Sequence, residues 1–331
     1  MDLVKTVSCF KVSLLIGLAA GVSSVVSAQQ YPAAKTVTIV VPFAAGGPSD
    51  KIARDVAEAM RKPLGQMVIV DNTGGAGGTI GATKVARANP DGYTLLVHHI
   101  GFSTAPSLYK NPGYKIDDFE YLGLINEAPS TLITRPTMQA KDFADLRKFI
   151  SSNKDLNMAN AGVGSASHLC GLLLQDAIKS NMTLIPYKGT APAMTDLIGG
   201  QVDIMCEQAT NSAPQIEGKK VKAYGITSAK RSQAPALAQI PTLNEAGLKG
   251  FNFNVWHGLY APKGTPPEVV KKINEALKAA LKDPELVKRQ EALGITVISD
   301  ARLNPVEHKK FVSAEVAKWT KVIKDAGIQP E

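Results

Sequence analysis

The apolar positions change period several times along this chain, and each change marks an element. Thr38, Ile39, Val40 and Val41 form a β-branched run closed by Pro42, which predicts a short buried strand. Ile52, Ala53, Val56, Ala57 and Met60 then recur at helical spacing, with Pro48 and Ser49 or Asp50 placed to start that helix. The same unit follows at once, as a strand over 67–70, a glycine-rich turn and a helix over 79–86. Asn89-Pro90-Asp91-Gly92 is a turn signal, and 93–97 reads as a third strand leading to a loop over 98–103. This order predicts an α/β fold with a parallel sheet, right-handed crossovers and ligand sites at the carboxyl ends of the strands.

Further along, 106–121 reads as a surface excursion rich in turn residues, followed by strands over 121–125 and 131–134. A second α/β set then begins: a helix over 143–150 introduced by Asp142, a strand over 157–160, a helix over 169–174, a strand over 182–186 and a helix over 191–198. Strands over 202–205 and 221–227 complete it. The extended segment 251–262 reads as the return crossing, and helices over 266–280, 285–293 and 305–326 with a strand over 295–298 finish the first unit. Trp256 and Trp319 are most simply packing residues, with a cleft role for Trp256 resting only on its place in that crossing. Two such units imply a cleft between them.

The loops carry the candidate chemistry. Phe43 to Asp50 and Asp71 to Gly78 each link a strand to a helix through glycine. Such a junction points unpaired backbone N–H groups, backed by the helix dipole, above the sheet edge, and so forms an anion seat. Neither loop has a nucleophile with a base beside it, so the pattern favours holding an anion over cutting one. The loop from Ala161 to His168 repeats the device with hydroxyls, Ser165 and Ser167 serving as helix caps or ligand donors. His98 and His99 close the third strand, where they either contact ligand, tune a pH response or serve structure.

The chain's 37 basic and 29 acidic residues give a net charge of +8. Lysines such as Lys271, Lys272, Lys278, Lys309 and Lys318 read as solvated faces of amphipathic helices near the C-terminus, and the chain shows no clustered arginines with interleaved aromatics of a nucleic-acid surface. Lys5 and Lys11 precede an apolar stretch over 12–26, and Val26-Ser27-Ala28 is a small-residue cleavage site, so residues 1–28 read as a secretory signal. The stretch is too short and too interrupted by glycine and serine for a permanent membrane helix, and Cys9 lies too early for a lipoprotein. Export permits a bridge between Cys170 and Cys206, yet nothing in the sequence places them side by side. No spacing suggests a metal site, and no cofactor is expected.

Several stretches together resemble the extracytoplasmic solute receptors of tripartite tricarboxylate transporters, the Bug family. They are V-P-F-A-A-G-G-P-S-D at 41–50, D-N-T-G-G-A-G-G-T-I-G at 71–81, N-P-D-G-Y-T-L-L at 89–96 and S-A-S-H-L at 165–169. P-Y-K-G-T-A-P-A-M-T-D-L-I-G-G-Q-V-D at 186–203, T-S-A-K-R at 227–231, P-T-L-N-E-A-G at 241–247 and G-L-Y-A-P-K-G-T-P at 258–266 follow in the family's order. The resemblance implies a type II periplasmic-binding-protein fold, two α/β domains with a ligand cleft between them, and no enzymatic turnover. The division expected is 29–129 with 253–331 for domain 1 and 130–252 for domain 2. The resemblance further implies a monomeric periplasmic receptor that delivers a small carboxylate, aliphatic or aromatic, to membrane transporter components. One carboxylate would be held by Phe43, Ala44, Gly46, Gly47 and Ser49 with Thr73, Ala76, Gly77, Gly78 and Thr79. The rest of the ligand would meet Ser165, Ser167, His168, Lys188, Gly189 and Thr190, with His99, Glu207 and Gln208 as further contacts. Arg135 is a candidate partner for a second anionic group, or a solvated arginine.

Two other readings stay open. A ligand sensor for a signalling partner shares the binding fold. A dinucleotide-dependent enzyme is suggested by Gly75, Gly77 and Gly81 after a strand, but the acid expected at the end of the next strand is replaced by Val97-His98.

Overall fold

In this computed structural model, residues 31–33, 35–325 and 327–330 are described. The secretory signal therefore lies outside the described residues.

The first elements are β1 (Val37–Val41), α1 (Pro48–Leu64), β2 (Val68–Asn72), α2 (Thr79–Ala86), β3 (Thr94–His99) and α3 (Gly101–Leu108). Next come β4 (Phe119–Thr134), α4 (Phe143–Ser152), β5 (Asn157–Asn160), α5 (Ala166–Ile178), β6 (Thr183–Pro186), α6 (Thr190–Ile198), β7 (Ile204–Gln208), α7 (Ala209–Glu217) and β8 (Lys222–Ile226). The chain closes with β9 (Asn254–Pro262), α8 (Pro267–Ala280), α9 (Pro284–Ala292), β10 (Thr296–Val297) and α10 (Pro305–Asp325).

The strands follow the order β2-β1-β3-β9-β4-β7-β5-β6, with β8 and β10 both joined to β4. β1 pairs in parallel with β2 and β3, and β5 pairs in parallel with β6 and β7. Between these two parallel sets β4 runs as the shared strand. Its residues from Phe119 to Pro129 pair antiparallel with β9, and those from Ser130 to Thr134 pair with β7. Where the sequence suggests two strands around Glu127 to Ser130, one strand thus passes from the first lobe into the second. It is buried along nearly its whole length, its polar Asn126, Ser130, Thr131 and Thr134 included.

Local chemistry sets the element ends. Gly65 takes the left-handed conformation and stops α1, while the Asp142 carboxylate caps α4 by accepting the Asp145 N–H. In the first lobe Ile39 and Val41 pack with Ile52, Val56 and Met60 of α1 and Leu277 of α8.

The structure corrects two expectations and answers one question the sequence leaves open. Residues 101–108 form a helix where the sequence suggests loop and surface excursion, and its Phe102, Ala105 and Leu108 are buried. Pro106 reads as a breaker because it cannot donate to the Phe102 carbonyl one turn earlier. The Tyr114 hydroxyl donates to that carbonyl instead, at 3.2 Å. Second, the strand expected over 202–205 runs instead from Ile204 to Gln208, so Cys206-Glu207-Gln208 are its last residues, and α7 starts directly after them. As for the open question, Cys170 and Cys206 are joined in a disulfide that ties α5 to β7. Their positions, a buried helix face and an adjacent strand, are neighbours only once the second sheet has formed. Trp256 is buried away from the cleft, and its Nε1 shares the Glu315 Oε2 acceptor with Trp319 Nε1. Arg135 is paired with Asp203 at 2.9 Å, an intramolecular use.

Candidate functional site

Four helices begin around one chamber between the lobes. Its walls are Gly47, Pro48 and Ser49 at the start of α1, Ser165, Ala166 and Ser167 at the start of α5, Thr190 at the start of α6, and Glu207 and Gln208 leading into α7. Phe43, His99 and Ala161 complete the lining. The first N–H groups of a helix have no acceptor within it, and aligned peptide dipoles add partial positive charge there. Among the described residues none of the lining side chains is Lys or Arg, so the attraction for an anion comes from backbone ends. The chamber volume is about 20 Å³. An outer groove of about 260 Å³ shares Phe43 and Ala161 with it and is also lined by Ala76, Gly77, Gly78, Tyr109, Val163 and Lys188.

The first lobe's wall is held by fixed hydrogen bonds. Asp50 accepts the Gly46 N–H at 2.9 Å and pairs with Arg54 at 3.0 Å. Burial pulls the Asp50 carboxyl upward, but the Arg54 guanidinium and the Gly46 N–H outweigh it and hold it below its ordinary value. Ser49 Oγ lies 3.1 Å from His257 Nε2, His257 Nδ1 lies 3.1 Å from Asn126 Oδ1, and Asn126 Nδ2 donates to Gln290 Oε1 at 2.8 Å. The Asn126 amide, engaged this way, leaves its oxygen to accept from His257, so His257 Nε2 accepts the Ser49 proton. The sequence reading finds no base beside a nucleophile, and here His257, 208 residues further on, stands against Ser49. A neutral amide replaces the carboxylate that would stabilise an imidazolium, and burial holds the His257 ring well below its ordinary pKa. The chain therefore orients a hydroxyl rather than activating it.

His99 stacks on Phe43 with ring centroids 4.5 Å apart. Its Nδ1 accepts the Gly101 N–H at 2.8 Å, so the neutral ring carries its proton on Nε2. Burial lowers its pKa to about 3, and burial likewise lowers His98, so both rings stay neutral at ordinary pH. His98 packs behind Gly78 and Phe43.

The second lobe's wall satisfies itself differently. Ser167 Oγ accepts the Ala161 N–H at 2.9 Å, and Ser165 Oγ caps α5 through the His168 N–H at 3.3 Å. Glu207 is only 1 % exposed. Its Oε2 accepts from Thr190 Oγ1 at 3.4 Å, while Oε1 meets no hydrogen-bond partner among the described residues. Burial pushes this carboxyl up to about 8 against the opposing pulls of Thr190 and Lys51.

Of the residues singled out from sequence, the chamber gathers Phe43, Gly47, Ser49, His99, Ser165, Ser167, Thr190, Glu207 and Gln208. Ala76, Gly77, Gly78 and Lys188 lie on the groove instead. Ala44, Gly46, Thr73, Thr79, His168 and Gly189 line neither. Several of these are occupied locally: the Gly78 N–H bonds Gly75 O at 3.0 Å, Thr79 Oγ1 bonds Ala76 O at 2.9 Å, and His168 Nδ1 accepts the Gly164 N–H at 3.3 Å. Gly77 and Gly189 instead make the lobes' close approach possible. A Cβ on Gly77 would lie 1.8 Å from Val163 O, and one on Gly189 would lie 2.8 Å from the Ala44 Cβ. Tyr109 donates to Val163 O at 2.7 Å and Lys51 to Asn211 Oδ1 at 2.9 Å across the same divide. The sequence reading does not single out His257, Lys51 or Tyr109, because only the folded pairing of β3 with β9 and of the two lobes brings them to the site.

A family model described as the tripartite tricarboxylate transporter family receptor matches residues 52–328. A UPF0065 protein from the TAR-I ttuE-ttuC' intergenic region of Agrobacterium vitis is 47 % identical over 305 residues, covering 92 % of this chain and 88 % of that protein. The periplasmic binding protein BugD superposes with a TM-score of 0.86 at 50 % identity, covering 89 % of this chain and 99 % of BugD. MatC from Rhodopseudomonas palustris, solved with bound malate, superposes with a TM-score of 0.84 at 41 % identity, covering 88 % of this chain and 99 % of MatC. These likenesses carry the type II periplasmic-binding-protein fold with them. The chain belongs to the tripartite tricarboxylate transporter receptor family, the Bug proteins, which are periplasmic carboxylate-binding receptors and not enzymes.

Proposed function

We propose that this chain captures a small aliphatic dicarboxylate of the malate kind and delivers it to the membrane components of a tripartite tricarboxylate-type transporter. The observation that carries the reading is the convergence of four helix starts on one chamber lined without Lys or Arg among the described residues. One carboxylate sits against those helix ends, and the remainder of the ligand extends toward the wider groove. The malate bound to MatC supports the ligand class, and the family supports the partner.

The units 29–129 with 253–331 and 130–252 act as a monomer's two jaws, with hinges where β4 and β9 cross. A chamber of about 20 Å³ has room for about one water, so a dicarboxylate enters only when the jaws part. A thermal-shift screen against carboxylates tests the reading. A ligand present at 100 times its dissociation constant stabilises by about 2.7 kcal/mol. Malate or a related dicarboxylate raising the melting temperature is the expected result. Stabilisation by amines or neutral sugars alone overturns it.

A further inference from the structure

The chamber built to attract an anion contains a carboxyl group of its own. Glu207 closes its second-lobe wall, almost wholly buried, with one carboxyl oxygen 3.4 Å from the Thr190 hydroxyl and the other unpartnered among the described residues. Set beside a bound carboxylate, an ionised Glu207 would repel it across a site shielded from water. Two carboxylates in one small site resolve this by sharing a proton.

We propose that Glu207 enters ligand capture as a protonated acid, its carboxyl donating a hydrogen bond to the ligand's carboxylate. The inference rests on the carboxylate-receptor reading and adds the proton that reading lacks. The charged and titratable groups around Glu207 are consistent with it. From α1, the Lys51 ammonium is in electrostatic reach but bonds Asn211 Oδ1 instead. From β3, the His99 ring faces the chamber in its neutral form. From α5 come the Ser165 and Ser167 hydroxyls and the neutral His168, and from α6 the Thr190 hydroxyl. The helix starts at α6 and α7 favour negative charge, but the ligand carboxylate competes for the same ends. With burial already holding the Glu207 carboxyl high, a second carboxylate holds it higher still.

The proton balance is simple. Below about pH 8 Glu207 already carries the proton and capture exchanges none. Above it, the ionised side chain takes one proton from solvent as the ligand binds, and affinity falls by about tenfold per pH unit.

Two measurements on the mature protein test this. Calorimetry with L-malate from pH 6 to 10, in buffers of differing ionisation enthalpy, should show proton uptake and weakening affinity only at the alkaline end. In Glu207→Gln, whose amide keeps a donor but cannot ionise, that alkaline dependence should vanish. Infrared difference spectra of parent against Glu207→Gln without ligand should show a protonated carboxyl band that disappears on raising the pH. An affinity that is flat with pH in the parent, one that rises above pH 8, or the absence of that carboxyl band overturns the proposal. Failure of every carboxylate to bind the parent overturns the receptor reading itself, and the infrared band then tells whether Glu207 still carries its proton.

Discussion

The two lobes present similar helix starts to the same chamber but are held together by different means. Behind the first lobe's wall lie buried neutral imidazoles: His98, His99, His257 and His308 are all in that lobe, with His168 the only histidine in the second. Behind the second lobe's wall lies a covalent bond, Cys170 to Cys206, which ties the helix carrying Ser165 and Ser167 to the strand carrying Glu207. The same ligand chemistry can thus be positioned by uncharged rings that must stay neutral or by a cross-link that must stay oxidised. Each lobe has its own vulnerability.

Acid should break the comparison most strongly. Burial lowers the pKa of His98, His99, His168, His257 and His308, to about 3 for His99 and His308 and about 4 for His168. Their folded values lie below the ordinary 6.5, so the unfolded chain binds more protons and stability, full above pH 6.5, is lost as pH falls toward 4. Glu207, raised to about 8, acts oppositely. It contributes fully below its unfolded value near 4.5 and loses that contribution as pH rises to 8. Each neutral histidine costs up to about 1.4 kcal/mol per pH unit in that window. Denaturant melts at pH 7 and 5 should differ by several kcal/mol, and amide exchange should show the first lobe opening before the second. Equal stability at the two pH values would mean that these rings protonate without unfolding.

Reduction should act on the other lobe, and less. The disulfide closes a loop with a sequence separation of 36 residues, for which chain entropy predicts a stabilisation of about 2–4 kcal/mol. In Cys170→Ser with Cys206→Ser, amide exchange should quicken in α5 and β7 while β1 to β3 keep their protection. A uniform loss across both lobes would show that they unfold as one unit.

How much of this could be seen in the residues alone depended on range. The strand-glycine-helix junctions at Val41 to Ser49 and at Asn160 to Ser167 are local patterns, and the chamber draws on both. Ser49's partner His257 and the Cys170 to Cys206 bond join residues distant in sequence, which no spacing reveals. The helix over 101–108 was hidden because Pro106 reads as a breaker until Tyr114 supplies the missing donor. The glycine loops also misled in one respect. Their abundance suggests that every N–H faces the ligand, whereas Gly46 and Gly78 spend theirs on Asp50 and Gly75.

Gly77 tests how the lobes meet. It has φ 59° and would place a Cβ 1.8 Å from Val163 O, so alanine there costs the first lobe about 1–2 kcal/mol and bars the approach of the second. Gly77→Ala should remain folded yet bind at least about tenfold more weakly, a loss of about 1.4 kcal/mol. Its radius of gyration should no longer fall on adding ligand. Parental affinity in a folded Gly77→Ala would show that the contact with Val163 is dispensable for capture.

The smallest effect should come from the most obvious cation. Lys188 is exposed on the rim of the outer groove, beside Tyr187, while the chamber's own walls attract through backbone ends. An exposed charge interacting with an anion through water contributes about 0–1 kcal/mol, and salt screens it over about 10 Å at 0.1 M. Lys188→Ala should therefore weaken dicarboxylate binding by no more than about fivefold at low salt, and the difference from the parent should close as salt is raised. The comparison is sharpened by pairing it with Gly77→Ala in one titration series. A salt-independent loss in Lys188→Ala as large as the Gly77→Ala loss would move the dominant anion contact from the helix starts to the groove, and the second lobe would then hold its ligand by a side-chain charge.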